Sequence, residues 1–88
     1  MFRVWFKQVK DNRMVRDMVI ERPEDDMSRT KKIFTSLNEV CEKMDLAVPI
    51  WLDSTINDFK KHSKARFYQD SFTETINFDY LEIHVIEE

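Results

Sequence analysis

Residues 28–44, SRTKKIFTSLNEVCEKM, decide the fold of this 88-residue chain. Their apolar side chains recur at intervals of one and three residues, which places them in one stripe along an α-helix: Ile33, Phe34, Leu37, Val40, Cys41 and Met44. Asp26 or Ser28 can cap the first turn through a side-chain oxygen. The segment therefore predicts an amphipathic helix from Ser28 to Met44, which needs an apolar surface to cover its stripe.

Two strands are predicted on the N-terminal side of this helix. Residues 2–10 alternate apolar and polar side chains with a period of two, which is typical of a β-strand. Asp11 and Asn12 form a tight turn in which Asn12 takes the left-handed conformation. The second strand runs from Arg13 to Glu21, and Pro23 prevents it from continuing. One of its faces carries Met14, Met18 and Ile20, and the other carries Val15 and Val19.

A second helix is predicted after a connector at residues 45–48. It begins either at Pro49, a residue favoured in the first turn, or at Asp53 as the cap, with residues 49–52 as an extended lead-in. In both cases one face carries Leu52, Ile56 and Phe59 at helical spacing, and the helix ends near His62 and Ser63.

The C-terminal part of the chain predicts two further strands. The first covers residues 65–69 and is short. Residues 70–77 fit either a loop or an irregular strand, because Phe72 and Ile76 stand among polar residues. Residues 79–87 alternate again and predict the last strand.

The resulting order is strand, strand, helix, helix, strand, strand. Both helices carry one apolar stripe, so they should cover one face of a mainly antiparallel sheet in a two-layer α+β fold. The length favours a single domain over residues 1–88. Residues 1–22 hold six basic and three acidic groups, whereas residues 70–88 hold six acidic groups and no basic one. We therefore expect the last strand to lie beside the first hairpin.

Composition excludes several kinds of site. The chain has no glycine, which excludes glycine-rich phosphate loops, dinucleotide fingerprints and glycine-flanked nucleophile elbows. The single cysteine, Cys41, allows no internal disulfide and favours a buried structural thiol in a cytoplasmic protein. Charges within the N-terminal apolar run argue against a signal peptide, and no segment predicts a membrane span. We expect no cofactor and no enzymatic activity.

Three segments resemble a family of short hypothetical proteins from Gram-positive anaerobic bacteria. They are PIWLD at residues 49–53, RFYQDSF at residues 66–72 and FDYLEI at residues 78–83. The resemblance covers nearly the whole chain. It implies a complete small protein but no particular activity, ligand or site residue.

The sheet face that the helices leave uncovered is the leading candidate for function. If the helices cover Phe2, Val4 and Phe6, the other face presents aromatic and aliphatic side chains among charges: Trp5, Val15, Val19, Tyr80 and Ile86. An apolar centre with a polar rim is typical of a protein interface. We therefore expect an interaction module that forms a homodimer or binds a small protein partner through its sheet.

The basic segment 60–66 supports an alternative function, nucleic-acid binding. Lys60, Lys61, Lys64 and Arg66 fall within seven residues, beside Phe67 and Tyr68. Cations contact phosphates and aromatic rings stack on bases. The net charge of −3 opposes this alternative. Cations at the end of a helix are also favoured by the helix dipole alone.

The two histidines offer the remaining chemistry. Glu82 and His84 point to the same face of the last strand, and with His62 they make a partial metal site. A small hydrolase acting through His62, His84 and Arg66 would need a pocket that holds both histidines. We favour solvated side chains without catalytic or metal roles for these residues.

Overall fold

A computed structural model describes all residues, 1–88, and confirms the α+β architecture. The elements are β1 (Phe2–Lys10), β2 (Arg13–Arg22), α1 (Arg29–Lys43), α2 (Asp53–His62), β3 (Lys64–Phe67) and β4 (Tyr80–Glu87). The strands form one antiparallel sheet in the order β2-β1-β4-β3. Both helices pack against one face of this sheet, in the predicted ββααββ order.

Helix α1 follows its predicted stripe closely. The Ser28 hydroxyl accepts a hydrogen bond from the Lys31 backbone N–H at 3.2 Å, so Ser28 rather than Asp26 is the cap. Five of the six stripe residues are buried. The exception is Phe34, which is 47% exposed at the margin of the stripe and meets the Trp51 ring edge-on, with 6.1 Å between centroids.

The first hairpin departs from the prediction at one position. Both turn residues, Asp11 and Asn12, have positive φ angles, 53° and 63°, which matches the preferred hairpin turn. The register shifts between Gln8 and Val9, so Met14 pairs with Val9 instead of continuing the Met18 side. The prediction that Met14 shares a face with Met18 is therefore wrong, because a β-bulge adds one residue to β2 at this point.

The second helix begins later than Pro49. Residues 49–52 are extended, and Asp53 is the first helical residue rather than the cap, since Leu52 stands at the cap position without a side-chain bond. The buried side chains of α2 are Thr55 and Phe59. Leu52 and Ile56 are only half-buried, so the apolar stripe of α2 is rotated from the predicted one.

The chain between β3 and β4 forms no strand. Strand β3 ends at Phe67, and residues 69–71 make one 3₁₀ turn. Phe72 is nevertheless buried, with its ring edge-on to Phe78 at 6.1 Å. The loop therefore closes one end of the core without strand hydrogen bonds.

The core lies between the sheet and the helices. Its centre is formed by alternate side chains of the two middle strands: Phe2, Val4 and Phe6 of β1, and Leu81, Ile83 and Val85 of β4. The expected pairing of the basic N-terminal region with the acidic last strand is confirmed. Ion pairs join the two strands, among them Lys7 with Glu82 at 2.6 Å and Arg3 with Glu87 at 3.5 Å.

Two isoleucines of β4 provide a matched test of this topology. Ile83 is fully buried, whereas Ile86 is 41% exposed. We expect Ile83→Asp to cost more than about 4 kcal/mol and to prevent folding, because it places an unpaired carboxylate in the core. Ile86→Asp should keep a wild-type circular dichroism spectrum and a cooperative urea transition. A folded Ile83→Asp protein would contradict this topology.

Candidate interaction surface on the open sheet face

The surface opposite the helices, here called the open face, is organised in transverse rows by the strand register. Trp5 lies between Val19 of β2 and His84 of β4, and Tyr80 pairs with Val9. Ile86 is exposed near the end of β4, and Val15 is exposed in the bulge of β2. The sheet thus brings Trp5, Val19 and Tyr80 onto one surface. Val15 and Ile86 are exposed where the register of β2 and of β4 shifts, and neither has a paired residue in these rows.

Four charged residues cross the centre of the open face in one row, here called the charge ladder. In register from β2 to β3 they are Asp17, Lys7, Glu82 and Arg66, so the sign alternates at every strand. Lys7 Nζ lies 2.6 Å and Arg66 Nε lies 3.2 Å from the Glu82 carboxylate. Opposite charges on neighbouring strands stabilise such a sheet.

Glu82 is buried although no helix covers this face. It is only 5% exposed, since the side chains of Lys7 and Arg66 close over it. Burial raises the pKa of Glu82, but hydrogen bonds from Lys7 and Arg66 outweigh this and hold the pKa below its ordinary value. The carboxylate therefore stays ionised at neutral pH, and the ladder balances two acids with two bases.

Aromatic rings hold the cations of the ladder in place. Lys7 Nζ lies 4.1 Å from the centroid of the Trp5 ring, and the Trp5 indole N–H donates to Asp17 at 2.9 Å. The Arg66 guanidinium lies 4.5 Å from the centroid of the Tyr80 ring. Cation–π contacts add to the ion pairs, so contacts within the single chain fix the side chains at the centre of the open face.

His84 is a titratable group of the open face with an unmet hydrogen bond. Its Nδ1 atom is buried and has no partner. Burial lowers the pKa of His84, and the nearby charges of Lys7 and Lys64 lower it further, against a smaller opposite effect of Glu82. The imidazole is therefore neutral at pH 7.

The structure divides the basic segment 60–66. Lys60 lines an apolar groove between α1 and α2. Lys64 and Arg66 line a different cleft, beside β3, and Arg66 is already engaged with Glu82. Lys61 borders neither cavity. The segment is thus shared between two cavities, and the charge of Arg66 is already paired within the fold.

His62 ends α2, His84 lies on β4, and Cys41 lies in the core. His62 lines the cleft beside β3, whereas His84 does not. No group of three or more His, Cys, Asp or Glu side chains is arranged to hold a metal ion. Cys41 is fully buried, and burial raises the pKa of its thiol to about 11. The thiol is therefore protonated at neutral pH, as expected of a structural residue.

The sequence predicted charged side chains among the apolar residues of the open face, but it did not predict the ladder. A period of two assigns a side chain to a face and carries no information on which strands are neighbours. Arg66 was considered only as part of the basic segment. Arg66 and Glu82 have opposite charges, but the sequence predicts an ion pair between them only if β3 is known to lie beside β4.

Removing the charge of Glu82 tests the ladder. Since the folded chain lowers its pKa, the ionised form stabilises the fold above the ordinary pKa of glutamate, and this stability is lost as the pH falls through the lowered value. We expect Glu82→Gln to reduce the free energy of unfolding at pH 7 by about 1–3 kcal/mol. It should also flatten the decline in stability between about pH 5 and about pH 3.

Glu21→Gln is the matched control for this measurement. Glu21 is exposed and pairs only with Arg3, at 3.3 Å. Its replacement should change the free energy of unfolding by less than about 0.5 kcal/mol. Equal losses for the two variants in urea titrations would mean that the ladder does not stabilise the fold.

Neither α1 nor α2 has the length and apolar character needed to cross a bilayer. Beyond its helices, the chain is distinguished by the ordered open face and by the cleft beside β3. Among protein-family models, curated proteins and solved structures, none matches this chain.

Proposed function

We propose that this protein is an interaction module that forms a homodimer by packing its open face against the same face of a second copy. The observation that carries the proposal is the burial of Glu82 between Lys7 and Arg66 on a face that no helix covers. The main cost of burying ionic groups comes from charges left unpaired. A second sheet can cover this ladder without leaving any of its charges unpaired.

The order of signs in the ladder selects one arrangement of the two copies. Consider a two-fold axis that runs parallel to the strands, between β1 and β4. It places Lys7 opposite Glu82 of the second copy and Asp17 opposite Arg66 of the second copy. An axis perpendicular to the strands would bring each charge against itself. The ladder is therefore self-complementary in the first arrangement only, as an isologous interface requires.

Apolar groups on both sides of the ladder supply the contact area. In the same arrangement Trp5 faces His84 of the second copy, and Val9 faces Tyr80 of the second copy. Three strands with about seven residues each and the four residues of β3, about 4.8 Å apart and at about 3.3 Å per residue, present roughly 400 Å² in projection. With side-chain relief, this is of the same order as the roughly 800 Å² of accessible surface per partner in a typical stable interface.

Trp5→Glu tests the dimer directly. The variant places a carboxylate at the centre of the contact, so sedimentation equilibrium at high micromolar concentration should give the dimer mass for the wild type and the monomer mass for the variant. Phe34→Glu is the control, because Phe34 is an exposed aromatic residue on the helical side. It should leave the dimer intact. A monomeric wild type, or a dimeric Trp5→Glu variant with wild-type circular dichroism, would refute the proposal.

The pH dependence of the dimer follows from His84. The second copy covers the half-buried imidazole, whose Nδ1 is already buried without a partner, and Lys7 and Lys64 lie close to the ring, while Glu82 stays ionised. Protonation therefore opposes association, and the dimer should weaken as the pH falls below about 6.5, the ordinary pKa of histidine. At most, the dimer dissociation constant rises about tenfold per subunit for each pH unit below the pKa of His84 in the monomer.

The two histidines provide a matched pair for this measurement. His84→Gln should remove the change in dimer dissociation constant between about pH 7 and about pH 5. His62→Gln should retain it, because His62 lies outside the open face. A pH dependence that survives in His84→Gln and disappears in His62→Gln would place the titrating group elsewhere.

A further inference from the structure

The outer edge of β3 has free main-chain hydrogen-bonding groups. The Val85 N–H donates to the Ser63 carbonyl at 2.9 Å, so Ser63 and Val85 form a hydrogen-bonded pair. Hydrogen-bonded and non-hydrogen-bonded pairs alternate along an antiparallel ladder. Lys64 and Arg66 therefore turn their N–H and C=O groups away from β4. No other strand neighbours β3 on that side.

A cleft of about 370 Å³ runs between α2 and this edge. Ser54, Asp58 and His62 line its helical wall at intervals of four residues, which places them on one face of α2. The other wall includes residues from both faces of β3, so the cleft follows the edge of the sheet rather than one face. Ser71 also lines it; this residue is 1% exposed, and its hydroxyl has no hydrogen-bond partner.

The two ends of the cleft differ in charge. Helix α2 and strand β3 run in opposite directions through the turn at Ser63, so His62 and Lys64 lie together at the turn end. Asp70 lies at the far end, and Asp58 lies between the ends. The charge of Arg66 is neutralised by Glu82. The turn end is thus basic, and the far end is acidic.

We propose that this cleft binds an extended peptide segment of a partner protein, which adds to β3 as a fifth, antiparallel strand. Strand addition uses main-chain hydrogen bonds for affinity and side-chain pockets for specificity. An antiparallel segment enters at the Asp70 end and leaves at the Lys64 end. Charge complementarity therefore selects a segment with a basic residue at its start and an acidic residue at its end.

The position of α2 argues against a second copy of this chain pairing through its own β3. Helix α2 packs mainly against β3. If β3 of one copy paired with β3 of another, the two strands would lie about 4.8 Å apart, and each would carry its own α2 helix. Packed helices need about 8–10 Å between their axes. A strand without a helix behind it fits the cleft.

Two capped pentapeptides test the proposal on the wild-type protein. The probe is acetyl-KVTVE-amide, and the control is acetyl-EVTVK-amide, which has the same composition and the opposite charge order. In titrations followed by NMR, we expect the probe to bind about tenfold or more tightly than the control. The Lys64 and Arg66 amides should become protected from hydrogen exchange. No binding of the probe at millimolar concentration, or equal binding of both peptides, would overturn the proposal.

N-methylation of the probe at single residues distinguishes strand addition from simple charge attraction. Only alternate N–H groups of an added strand face β3, so methylation should abolish binding at alternate positions and leave it nearly unchanged between them. Equal effects at all positions would overturn the proposal. A fall in the protein's mass on binding, as the peptide displaces a second chain from the β3 edge, would assign the cleft to a second copy and overturn it also.

Charge variants test the predicted direction of the peptide. Asp58→Lys should weaken binding of the probe and reduce its preference over the control peptide. Asp25→Lys changes the net charge equally but lies outside the cleft, so it should bind as the wild type does. Trp5→Glu should also bind as the wild type does, and the outcome for the cleft is therefore independent of the outcome for the dimer. Equal losses in Asp58→Lys and Asp25→Lys would contradict the proposed charge order.

Discussion

The ionised carboxylate of Glu82 ties three strands together. Glu82 lies on β4, and its carboxylate forms ion pairs with Lys7 on the neighbouring strand β1 and with Arg66 on the neighbouring strand β3. These contacts require β4 to lie in the middle of the sheet and in one register. The same register sets Phe6 opposite Ile83 on the other face. Because a slip of one residue would exchange the two faces of a strand, the polar ladder and the apolar core specify the same arrangement.

The absence of glycine shapes the turns around this sheet. Four residues with side chains adopt positive φ angles: Asp11, Asn12, Asp45 and Ser63. A positive φ angle costs these residues steric strain that glycine avoids, and hydrogen bonds made at the turns offset it. The Asp11 N–H donates to the Asp79 carboxylate at 2.9 Å, and the residue after Asp45 donates to the Cys41 carbonyl at 2.8 Å. The turn at Ser63 returns the chain along α2 and so creates the cleft beside β3.

The sequence predicted those features that depend on neighbours along the chain. The stripe of α1 and the alternation of β1 and β4 are of this kind, and the structure confirms them; of the two predicted cap candidates, Asp26 and Ser28, it shows Ser28. The bulge that displaces Met14 was not predicted, and the sequence left open whether α2 begins at Pro49 or near Asp53. Both depend on how distant segments fit together. The burial of Glu82 depends on strand order as well, and a charged residue at an alternating position predicts solvent exposure until its two cations are placed beside it.

The two proposed surfaces meet at Arg66 and need not compete. Its side chain completes the ladder on the open face, while its main chain faces the outer edge of β3. With the two-fold axis between β1 and β4, β3 of one copy lies over β2 of the other. A fifth strand beside β3 then projects past the overlap of the two sheets, and the peptide does not displace the partner. An acidic side chain on that strand, beside Arg66, would continue the alternation of the ladder. The dimer therefore leaves both of its clefts open at opposite sides.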